Sequence, residues 1–257
     1  MFLQDDFFVP FWKDKNSKLI CGFTLPASGN LALTRKSLTS GKTTDQNRLD
    51  LSKKLNIDYN CMFSPHQTHS DIVIDVDEQK KGMGALNLSN ALDGDACVTD
   101  KKNILLLVTW ADCVPVILFD EKNSIIGAIH SGWRGTVSDI IEKTIRTMQN
   151  KGSKIQNIYA SIGPAIRNCC YKVGNEFKTT HFSDNFYNEF FHQKEDGLYF
   201  DIAGVVYKKI LSAGIKDENV DFYGKCNCCS KEVDFFSCRK DGKDNFEGQA
   251  AFIGIFD

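Results

Sequence analysis

The chain has 257 residues, 42% of them hydrophobic and 25% charged, with a net charge of −2. That length can bury a large core, the balance is that of a soluble globule, and the lack of a basic excess argues against a nucleic-acid surface. No apolar run approaches the ~18 residues of a membrane span, and the acidic start Met1-Phe2-Leu3-Gln4-Asp5-Asp6 shows no signal peptide.

Ten cysteines without a secretory signal point to a reduced, cytoplasmic protein. No Pro/Gly/Ser-rich linker, charge block or repeat divides the chain, so a single catalytic domain over 1–257 is expected. In chain order, Asp45 reads as the N-cap of a polar helix running to about Asn56. Residues 61–65 lead into His66-Gln67-Thr68-His69, and 72–76 follow as a strand. The apolar run 104–109 (ILLLVT) fits a strand buried on both faces and delivers the chain to Asp112 and Cys113.

Residues 114–119 (VPVILF) and 125–130 (IIGAIH) are short, apolar and β-branched, so they read as buried strands around a turn at 120–124. A two-residue loop at Glu121-Lys122, or a four-residue loop at 120–123, sets Cys113 directly opposite His130. Opposed residues share a sheet face with Cβ atoms roughly 4.5–5.5 Å apart, which suits two ligands of one metal. A three- or five-residue loop would send them to opposite faces.

After His130, Gly132-Trp133-Arg134-Gly135 leads into a helix with Thr136 as N-cap and Asp139 in a capping-box-like position. Val137, Ile140, Ile141, Thr144, Ile145 and Met148 fall at helical spacing, and Gly152 ends the run. The start of that helix, with Arg134 beside it, is the best local anion pocket. Residues 158–162 read as a strand, and Asp201 caps a helix stopped by Gly214. Residues 233–237 and 251–256 read as late strands around the loop 239–243. Regular βαβ alternation is absent, which favours mixed α+β over a doubly wound parallel sheet.

His69, Cys113 and His130 carry the chemistry. Two imidazoles and one thiolate hold zinc with a fourth position open, the pattern of catalytic rather than structural sites. Taken singly, each also reads as a buried thiol or a hydrogen-bonded structural histidine. His66 reads as a surface neighbour, and His181 and His192 as ordinary. Asp112 on a strand would point away from Cys113, and Trp133 reads as packing. Cys169-Cys170 and Cys226-Asn227-Cys228-Cys229 lack a clean pair of CxxC knuckles and read as reduced, partly buried thiols.

Several stretches form an ordered set: Asn47-Arg48, Gln67-Thr68-His69, Gly94-Asp95-Ala96-Cys97-Val98-Thr99, Ala111-Asp112-Cys113-Val114-Pro115-Val116 and Gly127-Ala128-Ile129-His130-Ser131-Gly132-Trp133-Arg134-Gly135. Ile162-Gly163-Pro164 with Tyr171-Lys172-Val173-Gly174, and Phe236-Ser237-Cys238-Arg239-Lys240-Asp241-Gly242, complete it. From about residue 20 to the C-terminus the chain thereby resembles the multicopper polyphenol oxidase (laccase-like) family, also described as peptidoglycan editing factors and as zinc-dependent purine nucleoside phosphorylases.

The resemblance implies a layered domain of mixed β-sheets flanked by helices, with zinc (or copper) on His69, Cys113 and His130. It implies phosphorolysis of adenosine, inosine and methylthioadenosine to base and ribose 1-phosphate, with adenosine deamination as a side activity. Arg48, Arg134 and Arg239 are the implied substrate and phosphate residues. The partners would be a purine nucleoside and phosphate, without nucleic acid or membrane, in a monomer or small homo-oligomer. A copper-dependent polyphenol oxidase is the older reading of the family. A cysteine hydrolase acting on cell-wall precursors, with Cys113 as nucleophile and His130 as base, is a further one. This chain departs from the family pattern at Lys240, where a second arginine is usual, at Lys172 for glutamate, and at Gly248-Gln249 for Gly-Arg. Lys240 keeps the charge but not the planar fork that grips phosphate twice.

Overall fold

Strand periodicity sorts the apolar residues into layers. In β7 (Leu105–Trp110), Leu105 and Leu107 pack to one side while Leu106 and Val108 pack to the other. In β8 (Val114–Asp120), Val114, Val116 and Leu118 separate in the same way from Ile117 and Phe119. Both strands are therefore buried on both faces, as their unbroken apolar runs predict. The computed structural model describes residues 1–4, 6–182 and 184–257, so Asp5 of the acidic start lies outside it.

The first sheet runs β1 (Phe2–Gln4), β2 (Phe7–Val9), β3 (Leu19–Thr24), β15 (Gln249–Ile255), β7 and β4 (Met62–Phe63). The second runs β14 (Val220–Phe222), β10 (Ile158–Ile162), β8, β9 (Ile125–Ser131), β6 (Ala96–Thr99) and β5 (Val73–Asp75). A small third sheet joins β11 (Lys172–Val173), β13 (Gly197–Phe200) and β12 (Phe191–Lys194). β4–β7, β5–β6 and β10–β14 pair in parallel and the long central strands antiparallel, the mixed α+β arrangement expected.

A core between the two large sheets gathers Phe23, Leu106, Val108, Ile117, Phe119 and Ile253. Leu51 of α1 (Thr44–Lys54) packs on the outer face of the first sheet. The outer face of the second sheet is covered by α3 (Ile140–Asn150) and α5 (Ile202–Ser212), which bury Ile141, Ile145, Val205 and Val206. Asp201 caps α5 by accepting from Gly204 N at 3.1 Å. Among the described residues no helix is long and apolar enough to cross a membrane.

Four expectations need correction. The β8–β9 hairpin pairs Pro115 with His130, so Cys113 lies just before β8 rather than opposite His130. Asp120 stays in the ladder opposite Ile125 while its Oδ1 accepts from Lys122 N (2.8 Å) and Asn123 N (3.0 Å). The loop is thus 121–124, closing through Ser124 at φ 56°. A shift of two positions keeps the face, which is why Cys113 and His130 still meet.

The helix after His130 begins earlier and breaks. α2 (Trp133–Val137) is a single short turn with Gly132 before it, and Asp139 at φ 64° separates it from α3. Asp139 tolerates that left-handed conformation and receives Lys209 Nζ at 2.6 Å. Thr136 therefore lies inside a helix rather than capping one, and five residues make a weak dipole. Residues 233–237 form no strand. Their backbone groups go elsewhere: Phe236 O accepts from Asn227 Nδ2, and Ser237 N donates to Asp241 Oδ2 while its side chain caps α6 (Cys238–Asp241). Finally, α1 starts from Thr43, whose N–H donates to Gln46 Oε1 at 3.0 Å, and not from Asp45.

Candidate metal centre

Cys113 lies where the chain crosses from the end of β7 in one sheet to the start of β8 in the other. His130 sits near the end of β9, and His69 in the loop between β4 and β5. Their ligand atoms all lie within 4.8 Å of one another. Cys113 Sγ is 3.8 Å from His69 Nε2, and the two imidazoles stand edge to face with centroids 5.0 Å apart. Gly132 permits this approach. A Cβ there would meet His69 Cδ2 at 2.8 Å and Cys113 Sγ at 3.3 Å.

One buried carboxylate organises two of the three ligands. Asp95 accepts from Thr68 N, His69 N, Ser70 N and Ser70 Oγ at 2.6–3.1 Å. Those bonds hold the His69 backbone in its left-handed conformation, φ 59°. Asp95 Oδ1 also lies 2.7 Å from His130 Nδ1. A carboxylate can only accept, so His130 carries its proton on Nδ1 and turns Nε2 toward Cys113. This is the carboxylate–histidine pairing that orients metal ligands. Asp95 stood in the sequence only as part of Gly94-Asp95-Ala96, and nothing in its spacing showed that it reaches both histidine segments.

The electrostatics favour a thiolate. Burial opposes ionisation of Cys113, but His130 and His69 outweigh it and draw the thiol down to about 6. His130 is likewise opposed by burial, yet Cys113 and Asp95 raise it to about 10. For Asp95 burial pushes up, and His130 and Ser70 pull its carboxyl below the ordinary range.

The trio opens into a cavity of about 870 Å³ whose walls include Gln67, Trp133, Tyr171, Arg134 and Arg239. Arg134 lies 4.4 Å over the Trp133 ring, while Arg239 donates to Lys172 O at 3.1 Å. Arg35 and Lys243, which the sequence reading passed over, also line it. They arrive from opposite ends of the chain, so no local pattern marks them. Gln67 anchors the His69 loop to β7 through both amide atoms, accepting from Thr109 N and donating to Thr109 O at 2.7 Å each.

Arg48 is not there. It is 2% exposed, and its guanidinium donates to Leu31 O, Gly84 O and Ala85 O at 2.7–2.9 Å. Burial lowers its pKa to about 9, and its guanidinium is spent on clamping loops together, away from the residues that line the cavity. Lys240 also turns elsewhere, to Asp234 Oδ1 and Phe235 O at 2.6 Å. Asp112, at φ 92°, lies outside any strand and accepts from Ser237 Oγ, Asn227 Nδ2 and Arg239 N, fixing the turn next to Cys113. His66 is half-buried and pairs with Asp93.

Comparison with known proteins gives the chain's relatives and its fold. A purine nucleoside phosphorylase of Clostridium acetobutylicum is 37% identical over 69% of this chain and 70% of its own length. Adenosine deaminase RL5, from an unknown prokaryotic organism, is 32% identical over 81% of this chain and 80% of its own. The crystal structure of Bacillus licheniformis hypothetical protein YfiH superposes with a TM-score of 0.87 at 27% identity, covering 99% of this chain and 98% of that one. YlmD from Geobacillus stearothermophilus shares the fold at the same TM-score, with 23% identity over 100% of this chain and 98% of that one. Residues 22–255 match the family described as multi-copper polyphenol oxidoreductase laccase, and the chain belongs to that family.

Proposed function

We propose that this protein is a zinc-dependent purine nucleoside phosphorylase that also deaminates adenosine. The observation that carries the reading is one juxtaposition: a His, Cys, His ligand set opening into a cavity of about 870 Å³ flanked by Arg134 and Arg239. Such a cavity is of the size that takes small-molecule ligands. The relatives named above for phosphorolysis and deamination lend the substrate class.

The donors fit zinc. Two imidazoles and a thiolate suit a borderline-soft ion, Asp95 fixes the His130 ring, and Cys113 is held as thiolate near neutral pH. Zinc on His69, Cys113 and His130 would supply a Lewis acid for the departing purine or for a water. Arg134 and Arg239 would hold phosphate by charge-assisted hydrogen bonds, with one phosphate oxygen facing the anomeric carbon. The new C–O bond forms as the C–N bond to the purine breaks, and the electron pair leaves with the base. Trp133 and Tyr171 offer flat apolar walls to base and sugar.

Two other readings each have an observation behind them. The family description favours copper and polyphenol oxidation, which predicts oxygen uptake. The Cys113–His130 ion pair favours a cysteine hydrolase, which predicts turnover that survives metal removal. The deciding experiment incubates metal-assayed protein with adenosine, with and without phosphate, and identifies the products. Expected are ribose 1-phosphate and adenine only with phosphate, inosine without it, and neither after chelation. Arg134→Ala and Arg239→Ala should each raise the KM for phosphate by roughly tenfold, about 1.4 kcal/mol, without loss of metal. Undiminished phosphorolysis by metal-free protein would sink the proposal.

A further inference from the structure

Cys169 and Cys170 lie in the loop between β10 and β11, and Cys226 and Cys229 in the loop after β14. β10 and β14 are parallel neighbours, so their outgoing loops leave the sheet at one end. A bridge between Ala165 and Cys226, with Asn227 N donating to Ala165 O at 3.1 Å, lays the loops side by side. All four sulfur atoms then fall within 4.8 Å of one another, and Cys169 Sγ is 3.4 Å from Cys229 Sγ. Reading these residues as separate thiols missed the convergence. Cys226 and Cys229 do form one C-x-x-C step, and its partner is the adjacent pair Cys169-Cys170 rather than a second such step. In a strand adjacent side chains diverge. Here Cys170 N and Tyr171 N both donate to Arg167 O, closing a turn that lets both sulfurs face inward.

We propose that Cys169, Cys170, Cys226 and Cys229 hold one zinc ion in a closed, four-thiolate structural site, separate from the three-ligand centre in the cavity. A tetrahedral site with Zn–S of about 2.3 Å has sulfur–sulfur edges of about 3.8 Å. The 3.4 Å contact and the 4.8 Å outer limit lie on either side of that edge. Two disulfides would gather the sulfurs in two pairs, whereas these converge on one point. Four thiolates around a divalent ion carry excess negative charge. Lys194 Nζ on Asn168 O (2.7 Å) and Arg239 Nη1 on Cys170 O (3.4 Å) place cations beside it. No fourth position is left for substrate, so the ion would act as a staple.

The staple would brace the cavity from behind. Tyr171 follows Cys170 directly and lines the cavity. Arg239, also in the wall, rests on the carbonyls of Cys170 and Lys172. Asn227, inside the C-x-x-C step, donates to Asp112 Oδ1 at 3.0 Å beside Cys113. The inference rests on the four sulfurs and is independent of what the cavity turns over.

The test is zinc stoichiometry in the full chain under reducing conditions, after equilibration with zinc and removal of excess. The wild type should hold two zinc ions, Cys113→Ser one, and Cys226→Ser/Cys229→Ser one. With cobalt in place of zinc, Cys113→Ser should show intense thiolate-to-metal absorption. Native alkylation of the wild type gives a second readout that does not depend on the folding of the double variant. Cys169 and Cys229, both exposed, should be labelled readily after chelation and protected once zinc is restored. A Cys113→Ser chain that holds no zinc, or labelling of Cys169 and Cys229 that zinc does not change, would overturn the proposal. So would a Cys169–Cys229 disulfide in chain isolated anaerobically.

Discussion

Cys97 lies inside the second sheet and Cys113 just outside its end, before β8, and the two thiols differ in character. Cys97 lies in the middle of β6, opposite Ala128, with only the Ala128 carbonyl as a weak partner at 3.8 Å. Burial alone pushes its thiol well above the usual range. Cys113 stands at the sheet end, two residues before the Pro115 that opposes His130, and its imidazole neighbours draw it down to about 6. The same residue type is a small hydrophobe in one place and a thiolate in the other. What separates them is the sheet end, where apolar packing gives way to buried Asp95 and the two histidines it serves.

The largest effect should come from Cys113→Ala. The metal on His69 and His130 should be lost and turnover should fall by about a thousandfold or more, about 4 kcal/mol of barrier, as read by metal analysis and nucleoside assay. Asp95→Asn comes next. It keeps the shape but weakens acceptance from His130 Nδ1 and from the His69 loop. Metal affinity, measured against a competing chelator, should fall roughly 10–100-fold.

The pH dependence is smaller per unit and has a definite sign. Cys113 is depressed to about 6 and His130 raised to about 10, so between those values the metal-free site is a thiolate–imidazolium pair. Metal uptake there expels the His130 proton, and affinity should rise with pH. Below about 6 the thiol is protonated as well, and the slope should steepen. For the metal-free fold, the thiolate contribution is complete above the ordinary thiol pKa and is lost as pH falls through about 6. The imidazolium contribution is complete below the ordinary histidine value and is lost as pH rises through about 10. A proton release that does not vary with pH would remove the ion pair from the description. The smallest effect belongs to Cys97→Ala: about 1–2 kcal/mol of stability, seen in thermal melts, with metal and turnover unchanged. If that variant also shed the metal, the contrast between the two cysteines would be wrong.

Much of the frame was legible because it follows from local pattern. The apolar runs at 104–109, 114–119, 125–130 and 158–162 became strands within a residue or two, since burying both faces of a strand requires an unbroken apolar run. Residues 233–237 failed the same rule because side chains of other loops take their backbone groups, an arrangement no local run of residues announces. The helix after His130 breaks at Asp139, which takes the left-handed conformation while its side chain pairs with a lysine far along the chain.

The candidate ligands were chosen locally too, on the residue types of His69, Cys113 and His130, and the fold brings the three together. Their meeting depended on an even hairpin offset, and the two-position error preserved it. Arg48 shows the opposite case, because a charged residue in a matched motif looks the same in sequence whether its donors face a ligand or backbone carbonyls. Asp95, Arg35, Lys243 and the four converging cysteines lie in the same class. Sequence alone determined that the long apolar runs at 104–109, 114–119, 125–130 and 158–162 would be buried strands and which side chains had ligand chemistry, because periodicity and donor type reside in neighbouring residues. Only the tertiary structure decided which charges were already satisfied and which distant sulfurs and carboxylates shared a site, because hydrogen-bond partners and ligand distances are set by loops brought together from far apart in the chain.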